Sequence, residues 1–177
     1  MDTKISRIST VLIVLGGALA VYMSVRLVSF LGTHVWSDAA ALARLFGFEN
    51  VETQIPSVTR LLYSGVQSAP VLCGLVALYF GARLMNGFRT GRYFSPKTTQ
   101  SMSFCGMGLV GVAIFAMLAR IISGPLISQY DSVGRRFVSV TIDTYDLGFI
   151  LAGLVMWVTG WVLTSAFALQ SENESFV

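Results

Sequence analysis

Two arginines and two aspartates carry opposite charges at positions where they could form an ionic site. Arg26 lies inside the first long apolar segment, Arg120 near the end of the third, and Asp143 and Asp146 at the start of the fourth. An arginine in hydrocarbon costs at least about 2–3 kcal/mol, so it normally pairs, reaches towards the interface or serves a function. The sequence predicts that Arg26 or Arg120 pairs with Asp146. The alternative is a site for an anionic lipid or ligand.

The sequence gives little support for catalysis, metal binding or transport. His34 is the single histidine, with Asp38 one helical turn away, whereas a metal site needs three or four ligands. There is no G-x-S-x-G, no Gly-rich phosphate loop and no nucleophile beside a base. A transport path normally has polar or Gly/Pro-broken midspans, and the midspans here are apolar. We therefore expect neither an enzyme nor a transporter, and no cofactor or metal.

Four apolar segments position these residues, each long enough to cross about 30 Å of hydrocarbon. Of the 177 residues, 54% are hydrophobic and 12% charged, with a mean hydropathy of +0.71. Soluble domains carry about 25% charged residues. The predicted fold class is an all-α membrane protein, a single four-helix transmembrane bundle with spans at about residues 8–31, 66–85, 102–123 and 147–169.

The two longer connections predict a small extracytoplasmic cap. In residues 32–65, Ser37 is placed to cap a short interfacial helix over residues 38–46, and a loop with some helical turns is the alternative. The β-branched run at residues 135–143 predicts a hairpin with residues 126–131. At the central connection, Ser95 followed by Pro96 predicts the start of the third helix, which should end around residues 123–125.

The distribution of basic residues predicts the orientation in the membrane. The short N-terminal head and the tight central connection together hold Lys4, Arg7, Arg89, Arg92 and Lys97, a denser charge than that of the other two connections, which hold Arg44, Arg60, Arg135 and Arg136. We therefore expect both termini in the cytoplasm, N-in and C-in. Arg89, Arg92 and Lys97, with Tyr93 and Phe94 between them, either reflect this topology alone or bind anionic headgroups or a protein. Because basic residues are scattered at helix ends, no direct nucleic-acid binding is expected.

Packing residues have two possible interpretations. Trp157 and Trp161 lie one turn apart near mid-membrane, which indicates ordinary packing or contact with a partner or a pigment-like ligand. Small residues at helical spacing either pack within the bundle or form a seam for another membrane protein. These are Gly16, Ala20, Cys105, Gly108, Val112, Ala116, Ala119, Gly153, Gly160 and Thr164. Cys73 and Cys105 are predicted at different depths, which disfavours a disulfide between them.

Several segments occur in a familiar order along the chain. They are residues 91–96 (GRYFSP), 134–136 (GRR) before a short β-rich run, 146–147 (DL) and the tail 171–177 (SENESFV). In this order they resemble the bacterial YoaS-like membrane protein family, catalogued as domain of unknown function 2975. The resemblance implies a bacterial cytoplasmic (inner) membrane location and often a neighbouring gene for a small helix-turn-helix regulator. It implies no known chemistry.

Two functional hypotheses follow, both non-enzymatic and both based on protein–protein interaction, with membrane lipids as the surroundings. The first is a regulatory module that binds a small cytosolic helix-turn-helix partner through the central connection and the termini. The second is an accessory or assembly subunit of a larger respiratory or photosynthetic membrane complex, which it contacts through apolar helix faces. A soluble partner would indicate the first, and co-purifying membrane proteins the second.

Overall fold

The computed structural model describes residues 3–37, 42, 55–91, 95–130 and 141–174, and all regular structure in this part is helical. Helix α1 spans Thr3–Phe30 and continues as a π-helical segment over Leu31–Trp36; α2 spans Ser57–Arg89, α3 Pro96–Ser128 and α4 Thr144–Glu174. All four are long and apolar enough to cross a membrane. The prediction of an all-helical, multi-pass membrane protein with four spans is therefore confirmed.

The helices extend well beyond the apolar runs from which they were predicted. Helix α2 begins at Ser57 rather than near residue 66, so Pro70 lies in its interior. Helix α3 continues through Pro125 to Ser128 rather than ending before it. Hydropathy measures contact with hydrocarbon, whereas helical hydrogen bonding continues into polar sequence. Ser64, for example, is buried and its Oγ donates to the Arg60 carbonyl oxygen at 2.8 Å.

The predicted cap has a mixed outcome. Residues 126–128 belong to α3, so the hairpin is wrong at its first strand, and residues 131–140 lie outside the described residues. Most of the predicted interfacial helix also lies outside them. Ser37 lies at the end of the π-helical segment, where its N–H donates to the Gly32 carbonyl oxygen at 3.0 Å. Its Oγ donates to the Thr33 carbonyl oxygen.

The helices pack as an antiparallel row in chain order. The extensive contacts join α1 to α2, α2 to α3, and α3 to α4. We call the two ends of the row the Arg120 end and the Ser95 end after residues at opposite ends of α3. Helix α1 begins and α4 ends at the Ser95 end, where Thr164 Oγ1 lies 3.2 Å from Thr99 Oγ1. Helices α1 and α4 therefore form the two margins of the row.

A compact apolar cluster lies at the Arg120 end. It consists of Val35, Leu42, Ile55, Tyr63 and Ile127, with Phe30, Leu31, Leu126 and Tyr130 packed against it. The Tyr130 hydroxyl, just after α3, lies 2.8 Å from Thr59 Oγ1 in α2. The π-helical segment, the start of α2 and the end of α3 are thus held together beside the charged residues described below.

Glycines set the spacing between helices in the middle of the row. A Cβ on Gly108 would lie 2.9 Å from the Ala77 Cβ of α2, and a Cβ on Gly106 would lie 2.5 Å from the Gly153 carbonyl oxygen of α4. Such close approach maximises dispersion contact, the main source of helix association in lipid. Gly16 differs from these positions, because a Cβ there would meet nothing within 4 Å. Cys73 and Cys105 are both free.

Candidate functional site

An ionic triad joins α3 to the start of α4. Arg120 Nη1 donates to Asp143 Oδ2 at 2.9 Å, and Arg120 Nη2 donates to Asp146 Oδ2. Asp146 Oδ2 also accepts the backbone N–H of Asp143 at 2.9 Å. This last bond is the reciprocal half of a capping box, in which the third helical residue satisfies the N–H of the residue before the helix. The triad therefore fixes both where α4 starts and where it meets α3.

Burial makes Asp146 the central member of the triad. The side chain of Asp146 is 6% exposed, against 32% for Arg120 and 48% for Asp143. Water screens the Asp143 pair, whereas the Asp146 carboxylate relies on Arg120 and on the helix N-terminus for compensation. Arg120 Nε, Ser123 Oγ and Ser128 Oγ are buried polar atoms without a partner in the described part of the chain.

Arg26 lies apart from the triad, and it makes no ion pair with any described residue. It lines a cleft of about 460 Å³ at the Arg120 end, between α1 with its π-helical segment and α2. Tyr22, Ser29, Thr33, His34 and Gln67 bring polar groups to the same cleft. No described residue that lines it is acidic. Of the two arginines considered from the sequence, the structure brings Arg120 to the aspartates and leaves Arg26 facing an open cleft.

The π-helical segment holds His34 in place at this cleft. The His34 ring stacks on Phe30 with centroids 5.1 Å apart and an interplanar angle of 22°. Its Nδ1 lies 2.7 Å from Thr33 Oγ1, which also donates to the Ser29 carbonyl oxygen at 2.8 Å. Within the described residues, Nε2 has no hydrogen-bond partner, and no group of three His, Cys, Asp or Glu side chains is placed to hold a metal.

An apolar groove of about 390 Å³ runs along the inner flank of α1. Residues from all four helices line it, among them Leu12, Gly16 and Met23 of α1, Gly81 of α2, and Met156 of α4. Its opening follows from the packing order, because α1 and α4 are the margins of the row and leave space between them. Gly16, predicted either to pack within the bundle or to form a seam for another membrane protein, lines this groove.

The remaining candidate residues lie on outward surfaces. Trp157 and Trp161 are 44% and 66% exposed, and neither indole N–H has an acceptor in the described part of the structure. Arg89 and Lys97 are exposed at the Ser95 end, whereas Arg92, Tyr93 and Phe94 lie outside the described residues.

Sequence reasoning missed the part of the cleft that depends on tertiary structure. Gln67 and the π-helical segment have no signal in the sequence, because one comes from a neighbouring helix and the other from a local change in hydrogen bonding. Arg26 and His34 line the same cleft. His34 follows the predicted first span, which ends at about residue 31, so helical periodicity could not relate the two residues.

The comparisons with known proteins give one match. A family model described as "Protein of unknown function (DUF2975)" matches residues 45–177, about three quarters of the chain. The matched range includes α2, α3 and α4 but not α1. No curated protein and no solved structure is similar enough to this chain to count as a match.

Proposed function

The chain belongs to the DUF2975 family of proteins of unknown function, and on that premise we propose that it is a non-enzymatic accessory or assembly subunit that binds another membrane protein inside the bilayer. The contact surface is the Trp face of α4, formed by Leu154, Trp157 and Trp161. The partner is a transmembrane helix that carries a hydrogen-bond acceptor.

The observation that carries this proposal is the exposed side chain of Trp157, whose indole N–H has no acceptor among the described residues. Trp157 lies 11 residues after Asp146, about 16 Å along α4, which puts it near the midplane of a hydrocarbon core about 30 Å thick. Tryptophan normally keeps its N–H at the interface or paired, because hydrocarbon offers no acceptor. A carbonyl or hydroxyl oxygen on a neighbouring helix would satisfy the N–H, whereas a lipid tail would not.

A photo-crosslinking experiment tests this proposal. We expect a photoreactive amino acid at Leu154 to give a discrete adduct with a transmembrane protein, and the adduct to weaken when Trp157→Phe removes the N–H but keeps most of the ring. The matched control is the same photoreactive residue at Val155, which is exposed but lies about 160° around α4 from Trp157. An adduct with a second copy of the chain, or equal adducts from both positions, would contradict the proposal.

A second candidate is the regulatory module with a small cytosolic partner. It is favoured by the exposed Arg89 and Lys97 at the ends of α2 and α3, which present positive charge beside a short connection. Ser95 fixes the start of α3 there, because its Oγ accepts the Thr98 N–H at 3.3 Å. If this function is correct, Arg89→Ala with Lys97→Ala removes a soluble partner from the purified complex, and Trp157→Phe leaves it bound.

Both candidates place the protein in a bacterial cytoplasmic membrane with its two termini in the cytoplasm. The positive-inside rule supports this orientation, because Arg7, Arg89 and Lys97 all lie at the Ser95 end. Among the described residues, the Arg120 end carries Arg26, Arg60 and Arg120, but Arg120 is neutralised by its aspartates and the Arg60 Nε donates to the Ile55 carbonyl oxygen at 3.1 Å.

A further inference from the structure

We propose that the Arg26 cleft and the apolar groove together form a binding site for one anionic phospholipid, with its phosphate at Arg26 and an acyl chain along α1. This site is separate from the Trp face, because Leu154, Trp157 and Trp161 lie about 160°, 100° and 140° around α4 from Met156 of the groove.

The cleft has the chemistry of a phosphate site. Arg26 contributes a guanidinium, whose planar array of donors matches phosphate oxygens. Hydroxyl groups of Tyr22 and Ser29 and the His34 ring line the same space. Among the described residues that line the cleft, none is acidic and none neutralises Arg26. In the triad, by contrast, Arg120 is already paired with two carboxylates.

Arg26 also lies at the depth of lipid headgroups. It follows Arg7 by 19 residues in the same helix, which separates the two by about 28 Å along the axis. The hydrocarbon core is about 30 Å thick. When Arg7 is at one headgroup layer, Arg26 therefore reaches the other, where phosphates are concentrated.

The cleft and the groove adjoin along α1. Met23 lines both. An arc of about 60° around α1 contains Arg26 and the groove-lining residues Leu12, Leu19 and Met23. One flank of α1 is therefore apolar along most of its length and cationic at one end. This polarity matches that of a phospholipid, with a charged head and an apolar tail.

The dimensions of the groove favour an acyl chain over a protein helix. The groove runs about 16 Å along α1 between Leu12 and Met23, and its volume is about 390 Å³. An α-helix of that length, at least about 10 Å across with its side chains, would occupy about 1,250 Å³, far more than the groove offers. Gly16 and Gly81 leave room along its walls, where Cβ atoms would meet nothing nearer than 3.7 Å.

Lipid binding by the purified protein tests the headgroup part of the site. Native mass spectrometry would compare phosphatidylglycerol with phosphatidylcholine of identical chains. We expect preferential retention of phosphatidylglycerol and a loss of about tenfold in its affinity for Arg26→Gln, the effect of one charged hydrogen bond. Arg26→Lys should keep part of the affinity. Arg7→Gln, in the same helix at the other end, is the matched control and should bind like the original chain.

Two adjacent glycines of α1 provide a matched pair of variants that tests whether the acyl chain lies in the groove. Gly16→Leu fills the groove, whereas Gly17→Leu adds the same side chain on the exposed surface; a Cβ at either position meets nothing within 4 Å, so both variants should fold. We expect Gly16→Leu to lower phosphatidylglycerol affinity several-fold and Gly17→Leu to leave it unchanged. Soluble glycerol phosphate and inorganic phosphate should compete poorly, because they lack the chain.

The proposal is overturned if both lipids bind with equal affinity or if Arg7→Gln loses as much phosphatidylglycerol affinity as Arg26→Gln. It is also overturned if Gly16→Leu and Gly17→Leu have the same phosphatidylglycerol affinity. Effective competition by inorganic phosphate would instead identify a soluble anion as the ligand. None of these outcomes depends on the partner at Trp157, so the site and the proposed function can fail separately.

Discussion

Gly106 of α3 and Gly153 of α4 lie in direct backbone contact. A Cβ on Gly106 would come within 2.5 Å of the Gly153 carbonyl oxygen, and a Cβ on Gly153 would come within 2.7 Å of the Gly106 carbonyl oxygen. Backbone atoms cannot rotate away as the end of a side chain can. The α3–α4 interface therefore depends on the absence of a side chain at both positions.

Alanine at Gly106 should force α3 and α4 apart. We expect Gly106→Ala to lower the free energy of unfolding by about 2–3 kcal/mol, the usual cost of overpacking a close contact. Titration with sodium dodecyl sulfate from mild detergent measures this loss. Gly148→Ala in α4 is the control, because a Cβ there meets nothing within 4 Å, and it should be neutral or slightly stabilising. Equal losses for the two variants would contradict the contact.

The ionic triad should contribute unequally through its two carboxylates. We expect Asp146→Ala to cost about 2–4 kcal/mol, because it leaves Arg120 with one exposed partner and the Asp143 N–H with no acceptor. Asp143→Ala should cost at most about 1 kcal/mol, since water screens that pair. The same titration measures both, and a double-mutant cycle with Arg120→Met isolates the Arg120–Asp146 coupling. A larger loss for Asp143→Ala would reverse this ranking.

The start of α3 depends on the hydroxyl of Ser95. We expect Ser95→Ala to lower the free energy of unfolding by about 1 kcal/mol, because the Thr98 N–H loses one of its two acceptors and the Thr98 hydroxyl loses its contact with Ser95 Oγ at 2.8 Å. Thr10→Ala serves as control, since the Thr10 hydroxyl donates only within its own helix, to the Ser6 carbonyl oxygen. If the two substitutions lower the free energy of unfolding equally, the Ser95 hydroxyl does not stabilise the start of α3.

Labelling with a membrane-impermeant maleimide tests the arrangement of the helix ends. In a background of Cys73→Ala and Cys105→Ala, we expect Arg7→Cys and Thr90→Cys to react from one side of the membrane and Ser57→Cys from the other. The proposed orientation makes the first side cytoplasmic. Reaction of Arg7→Cys and Thr90→Cys from opposite sides would be incompatible with the antiparallel row.

The sequence was sufficient to predict the four helices but not their full lengths. Apolar runs locate the hydrocarbon, and α2 extends nine residues before its predicted start because Thr59 and Tyr63 are buried against other parts of the protein. Pro125 was interpreted as a helix end, although the helix continues for three more residues. Such extensions depend on tertiary packing, which a local pattern does not contain.

The candidate site was predictable in its residue types and not in its pairings. Arg26 and Arg120 have similar depths in apolar segments, so only the order of helix packing decides which one reaches Asp146. Gly106 was not predicted, because its contact also depends on the order of helix packing. The stripe of Cys105 and Gly108 faces α2, whereas Gly106 contacts α4 on another side of α3.

Within the described residues, α1 packs extensively against one other long helix, α2. The range that the family model matches begins after α1. A helix that packs along one side only can dissociate while the contacts among the other three helices are kept. Division of the chain between α1 and α2 into two co-expressed polypeptides should therefore still give an assembled protein. In a crowded membrane, the same loose attachment would allow neighbouring copies to exchange their first helices.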